Sequence, residues 1–287
     1  MHLNLVDQRA RHWIENETAF PEAIRTLLLA KDVHQSALVD QGFLGCVLHD
    51  FERDFDARIV DRVGALRFVL GPRFIVTARH HPLRCADIIR GRIAAGARVP
   101  TAATALDLLV DAVIEAETDL VRGLNETVLK AEDDLLDDGR SPDARAMANV
   151  RRRAVQLHRL LGGMRAVFQR IEQDEDLPEA LLPTVERVSQ RILAVDADVV
   201  ATQTQLRLLR DEMDSQAAQR TNQNLYVLSI LTALVLPATF ITGIFGMNTG
   251  GLPWATSPIG TLLAGLLAVA SAAAVWMLLR ALGLARR

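Results

Sequence analysis

The chain has 287 residues, of which 50% are hydrophobic and only 5% aromatic, and its 32 basic and 35 acidic side chains leave a formal net charge of −3. That near-neutral balance, without a long basic stripe interleaved with aromatics, argues against a nucleic-acid partner. The two cysteines, Cys46 and Cys85, are too few for a disulfide framework and suit buried thiols in a reducing compartment.

Residues 1–100 read as an α/β domain in which short strand-forming segments around Leu3 to Val6, Phe43 to Phe51 and Leu66 to Thr77 alternate with helical stretches. The clearest unit is a hairpin in which Leu66 to Leu70 and Arg73 to Thr77 flank the turn dipeptide Gly71-Pro72. A helix is expected over Pro21 to Ala30, with proline in its first turn. Met1 lies almost inside the first strand, so either a preceding strand is missing or the sheet edge is bare. The acids Asp50, Glu52, Asp54 and Asp56, with His49, describe a half-solvated strand end. His80, His81 and Cys85 fall short of the four ligands of a closed zinc site and are read as the end of the hairpin.

Over 101–177 the apolar residues shift to helical spacing, with Leu106, Leu109, Val110, Val113, Ile114, Leu120, Val121 and Leu124 on one face. This helix ends at the acidic cluster Glu132, Asp133, Asp134, Asp137 and Asp138, and a second helix returns from Asp143 to about Glu172. The cluster is a candidate for concentrating cations by its field, and equally an ordinary solvated helix tip. Arg151, Arg152 and Arg153 read as solvent-exposed. Gly162-Gly163 sits in helical periodicity and lacks a phosphate-loop pattern, and no nucleophile constellation appears, so an enzyme is not expected.

After Pro183 no proline interrupts the chain until Pro237, and apolar residues recur from Val185 to Met213. One helix is predicted to pass from a stalk (178–223) into a first span (224–246), a length of roughly 90 Å. A short outer loop (247–258), a second span (259–281) and a basic tail (282–287) complete the chain. Leu225 to Phe245 and Ile259 to Leu279 contain no charged residue, and each can cross a hydrocarbon layer about 30 Å thick. The first residues, Met1 to Asp7, do not read as a signal peptide, which predicts a cytosolic N-terminal domain. Arg280, Arg286 and Arg287 follow the second span while Thr249 to Pro258 carry no charge, which puts both termini in the cytosol.

A stripe on the first span runs through Asn222, Leu225, Ser229, Thr232, Leu236, Thr239 and Gly243. Four of these carry an oxygen-bearing side chain, and Val227, Ile230, Leu234, Ala238 and Ile241 lie opposite. Two spans cannot enclose a water-filled path, so the stripe suggests several copies around an axis. Alternatively, the Ser and Thr hydroxyls merely bond their own helix carbonyls.

At the outer end of this span stands Gly246-Met247-Asn248, and here the chain resembles the CorA family of divalent metal ion transporters, which carries a Gly-Met-Asn signature in this position. The resemblance spans the whole layout: an α+β cytosolic domain, a long stalk helix and two C-terminal transmembrane helices. It implies a homopentamer whose Gly246, Met247 and Asn248 form a ring at the outer mouth, with the stripe lining the pore. Neutral amide and carbonyl oxygens accept hydrogen bonds from a hydrated ion and defer its dehydration. Leu225 and Leu236 would be apolar constrictions and Thr239 a second oxygen ring.

The uncharged loop Thr249-Gly250-Gly251-Leu252-Pro253-Trp254 resembles the ZntB branch, associated with zinc, whereas magnesium-type members usually carry acids there. The resemblance therefore implies zinc uptake across a bacterial inner membrane, with membrane lipid, divalent cations and further copies of the chain as partners and no prosthetic group. A magnesium or cobalt channel of the same family is the alternative, and a membrane-anchored helical scaffold or metal sensor is the alternative of another class. No His or Cys in the first span or loop marks a soft-metal site.

Overall fold

A computed structural model describes residues 1–17, 19–30, 34–53, 62–72, 74–137, 142–247 and 259–282. The chain divides into two compact units, Met1–Arg210 and Asp211–Arg287.

In the first unit, β1 (His2–Asn4), β2 (Ser36–Asp40), β3 (Phe43–Phe51), β4 (Val63–Leu70) and β5 (Ile75–Arg79) form one sheet in the order β1-β5-β4-β3-β2. β1 is an edge strand that pairs in parallel with β5, while the other pairings are antiparallel. The β2–β3 hairpin, absent from the sequence reading, closes through Gln41 and Gly42, both at positive φ (50° and 78°). That pair of left-handed residues is the two-residue turn whose twist matches a hairpin. Its signal was weak because Gln at the first turn position replaces the usual Asn or Asp.

Helices cover both faces of the sheet, which explains why β3 and β4 are buried along nearly their whole length rather than alternating with solvent. α1 (Gln8–Asn16) and α2 (Glu22–Leu29) lie on one face, where Leu3, Leu5, Ile14, Phe20, Ile24, Leu28, Val69 and Val76 form a core. α2 comes so close that a Cβ added at Gly45 would stand 2.8 Å from the side chains of Ile24 and Leu27. On the other face sit α3 (Arg84–Ala94), α4 (Ala102–Asp137) and α5 (Ala144–Glu172). Gln35 joins sheet to helix, its Nε2 donating to Leu160 O at 2.8 Å. A Cβ at Gly163 would meet the same amide, so a side chain there would have to displace Gln35 from its bond to Leu160.

A short 3-10 turn, Glu179–Leu181, leads into α6 (Leu182–Gly246), a single 65-residue helix. In the first unit Val185, Val188, Ile192, Val195, Val199, Leu206 and Leu209 are buried. Thr202 Oγ1 reaches Asn125 of α4, and His158 Nδ1 of α5 lies 2.6 Å from Asp196 Oδ1. Arg92 of α3 and Arg191 of α6 both contact Asp111 of α4, and Arg187 Nη2 lies 3.2 Å from Asp107 Oδ1. α7 (Gly260–Ala281) closes the second unit.

Asp50 departs from the half-solvated reading, since it is 0% exposed. Its carboxylate accepts from Phe51 N at 2.8 Å and from Cys85 N at 2.7 Å, so it caps α3, whose own cap residue Leu83 supplies no side-chain bond. Burial raises its proton affinity despite these donors. Cys46 and Cys85 are free, buried thiols, each pushed up chiefly by burial.

Candidate functional site: the exposed stripe of the first span

The apolar windows of α6 and α7 meet the length and composition needed to cross a bilayer, and 0% and 11% of them respectively is buried. A core helix of a soluble protein would be enclosed instead. Both therefore present their apolar side chains to a surrounding other than this chain.

Within the second unit the exposure is not uniform. On α7, Gly260, Ala264 and Ala268 are buried, with Leu263, Ser271, Ala272, Val275 and Leu279 half-buried on the same face. Four-residue spacing of small side chains is what lets membrane helices approach closely. On the apolar stretch of α6, from Leu225 on, the half-buried positions are Ile230, Ala233, Leu234, Pro237, Ala238, Ile241, Ile244 and Phe245. These include four of the five residues placed opposite the stripe from sequence. The fifth, Val227, is 64% exposed.

The stripe itself is bare: Asn222, Leu225, Ser229, Thr232, Leu236, Thr239 and Gly243 are all exposed, Leu225 at 56% and Leu236 at 66%. Thr232 Oγ1 donates to Leu228 O at 2.8 Å, Thr239 Oγ1 to Val235 O at 2.9 Å and Thr242 Oγ1 to Thr239 O at 3.0 Å. Back-bonding is therefore present, but it does not silence the hydroxyls. A hydroxyl whose proton is committed to its own helix keeps two lone pairs. It becomes a pure acceptor, the role that water around a cation requires of a neighbour.

Pro237 sits inside α6 and brings no N–H, which frees the carbonyl one turn earlier, at Ala233. The helix ends at Gly246, and Met247, which is 54% exposed, returns its N–H to Ile244 O at 3.3 Å. Asn248 and the loop through Pro258 lie outside the described residues. In the acidic cluster Glu132 is half-buried and Asp133 and Asp134 are exposed at the end of α4. Asp137 is the last residue of that helix, and Asp138 lies outside the described residues. Among the described residues no three His, Cys, Asp or Glu side chains are grouped to hold a metal ion, so His80, His81 and Cys85 do not make a zinc site.

Comparison with known proteins bears on this arrangement. A family model described as CorA-like Mg2+ transporter protein matches residues 1–280. The zinc transport protein ZntB of Yersinia enterocolitica serotype O:8 is 26% identical over 266 residues, which cover 91% of this chain and 80% of that protein. ZntB of Pectobacterium atrosepticum is also 26% identical, over 268 residues and the same shares of the two chains. Among solved structures, the CorA magnesium transporter of Methanocaldococcus jannaschii superposes with a TM-score of 0.78 at 16% identity, covering 96% of this chain and 87% of that one. The full-length CmaX protein gives 0.77 at 24% identity over 98% of this chain and 87% of that one.

Proposed function

The chain belongs to the CorA-like Mg2+ transporter family, so it is a transporter of divalent cations and not an enzyme, and on that premise we propose that it carries zinc through a pore shared by five copies. The observation that carries the pore reading is the bare stripe on α6. The hydroxyls of Thr232 and Thr239 are turned into acceptors by their own helix, and the opposite face is apolar and largely half-buried. One copy offers a single such stripe, and a water-filled path needs several around an axis.

In this reading Asn222, Ser229, Thr232 and Thr239 contribute rings of oxygen to the path, Leu225 and Leu236 contribute apolar constrictions, and Gly243 leaves width. Gly246, Met247 and Asn248 form the outer ring, where amide and carbonyl oxygens take hydrogen bonds from an ion that still holds its water. Full carboxylates there would hold the ion longer and slow its onward passage. The acidic end of α4 raises the local cation concentration on the cytosolic side. The assembly sits in a bacterial inner membrane with both termini in the cytosol, as the Arg280 end of α7 favours.

Zinc is preferred to magnesium because the ZntB proteins are named for zinc and because the loop after Asn248 has no acidic residue. Uptake into liposomes decides the ion. Zinc-driven signal from an entrapped chelating dye is expected to exceed magnesium entry, whereas magnesium flux without zinc flux overturns the choice of ion and leaves the pore standing. Native mass determination of the detergent-solubilised protein is expected to give five copies.

A further inference from the structure

Arginine is almost never fully enclosed without an acidic partner, because the hydration it loses has to be replaced by opposite charge. Arg67 in β4 is 1% exposed. Its Nη2 donates to Ala30 O at 2.9 Å, its Nη1 lies 2.9 Å from His80 Nδ1, and its buried Nε has no partner among the described residues. Neither partner carries negative charge.

The crowding of donors extends outward. Arg11 Nη2 of α1 stands 3.4 Å from His80 Nε2, so both ring nitrogens of one imidazole face a guanidinium. A neutral imidazole has one acceptor nitrogen and one N–H. Whichever nitrogen carries the proton, one guanidinium therefore meets another donor. The charges acting on these groups are also of one sign: Arg11 acts on Arg67, and Arg67, Arg11 and His81 act on His80. Burial first, and then those cations, push His80 below the usual histidine range. Arg11 and His80 are half-buried, which leaves the cluster reachable from solvent.

We propose that Arg11, Arg67 and His80 form a binding site for a small oxyanion of the phosphate class. An oxygen beside His80 accepts from both guanidinium groups and supplies the charge that Arg67 lacks. Guanidinium forks match phosphate oxygens in geometry, and donors from three separate elements suit an anion whose acceptors spread tetrahedrally. Among the described residues the charged and titratable groups facing His80 are Arg11 from α1, Arg67 from β4 and the adjacent His81. Anion binding favours the protonated ring, so for an anion of fixed charge affinity rises as pH falls through the histidine range. Phosphate's own protonation, common to parent and variant, cancels when the two are compared. The site stands apart from the transport reading and does not depend on it.

Thermal unfolding of the full-length protein in detergent tests it, with potassium phosphate set against potassium chloride at equal ionic strength. Phosphate is expected to raise the midpoint saturably, with a Kd of about 5 mM or tighter. No saturable rise beyond that of chloride overturns the site. Arg11→Gln is expected to weaken phosphate by about tenfold or more. Arg9→Gln, which removes a cation from the same helix that is 92% exposed and paired with Asp7, is expected to change nothing. Equal losses in the two variants overturn the proposal in favour of general surface charge. Should Arg11→Gln lower the midpoint in the absence of phosphate, His80→Asn replaces it as the readout. That variant is expected to flatten the pH dependence of phosphate affinity, and an unchanged pH dependence overturns the role of His80. An arm with AMP separates sources: tighter binding than inorganic phosphate assigns the site to phosphomonoesters, and weaker binding assigns it to the free anion.

Discussion

Two stretches of α6 carry comparable apolar side chains and meet opposite surroundings. From Val185 to Leu209 the apolar positions recur on one face and are buried, Val185, Val188 and Ile192 at 0% exposure. From Leu225 to Phe240 the apolar residues include Leu228, Leu231, Leu236 and Phe240, exposed at 57%, 56%, 66% and 68%. In the first stretch charged and polar residues are interspersed among the other positions, and α4 and α5 reach it through Asn125 and His158. In the second no charge is present at all. Hydrophobicity by itself thus does not say where a residue will lie, whereas the absence of charge around the helix says that its surroundings are not water.

The contrast can be tested where it is sharpest. The largest effect is expected from Asn248→Leu, which removes the amide oxygen proposed for the outer ring. Zinc flux into liposomes should fall to background while five-copy assembly persists, and undiminished flux would mean that the bare stretch serves anchoring alone. Next comes Ile192→Ala in the enclosed stretch, which leaves a cavity and should cost about 2–5 kcal/mol, seen as a lowered unfolding midpoint of the full-length protein. A change below about 0.5 kcal/mol would show that the packing around α6 is looser than its burial implies.

Glu117 of α4 offers a smaller effect with a clear sign. It is 0% exposed, neither carboxyl oxygen has a partner among the described residues, and burial with the nearby Asp50 raises its proton affinity well above the usual range. The folded protein keeps this proton after the unfolded chain has ionised, near pH 4.3 or so for a free glutamate. Stability therefore falls as pH rises from the unfolded value toward the raised folded one. Glu117→Gln should remove that slope while Asp50 retains its own, so the variant should melt a few degrees above the parent at pH 8 and close to it at pH 5. A gap that does not widen with pH would show Glu117 to be ionised in the folded state. The smallest effect belongs to Leu231→Ala on the bare stretch, which should change stability in detergent by less than about 0.5 kcal/mol, a midpoint shift of about 2 °C at most. A larger loss would place another part of the assembly against that residue.

The helices were legible because a helical period needs only near neighbours: α4, α5 and α6 follow the recurrence of Leu106 to Leu124, the turn before Asp143 and the proline-free run after Pro183. The same period sets Asn222 to Gly243 in one exposed row and makes four of the five residues opposite it half-buried, Val227 being the exception. Features made by distant partners were not. Asp50 read as a solvated acid because the N–H groups that hold it include that of Cys85, on an element brought alongside by the sheet. Nothing in the helical period of α4 marks Glu117, which is buried only by packing. The surplus of donors around His80 joins residues of α1, β4 and the end of β5, and no local pattern announces it. β2 escaped because five residues, Ser36–Asp40, are too short a run for alternation to stand out.

The back-bonded threonines carry one more implication for the proposed lining. A hydroxyl free to rotate greets either sign of charge, offering its hydrogen to one and its lone pairs to the other. Thr232 and Thr239 have surrendered that freedom to Leu228 and Val235. A conduit walled by such groups is electrically one-sided without holding any formal charge: chloride finds nothing to donate to it, and a metal wrapped in water finds acceptors at successive depths.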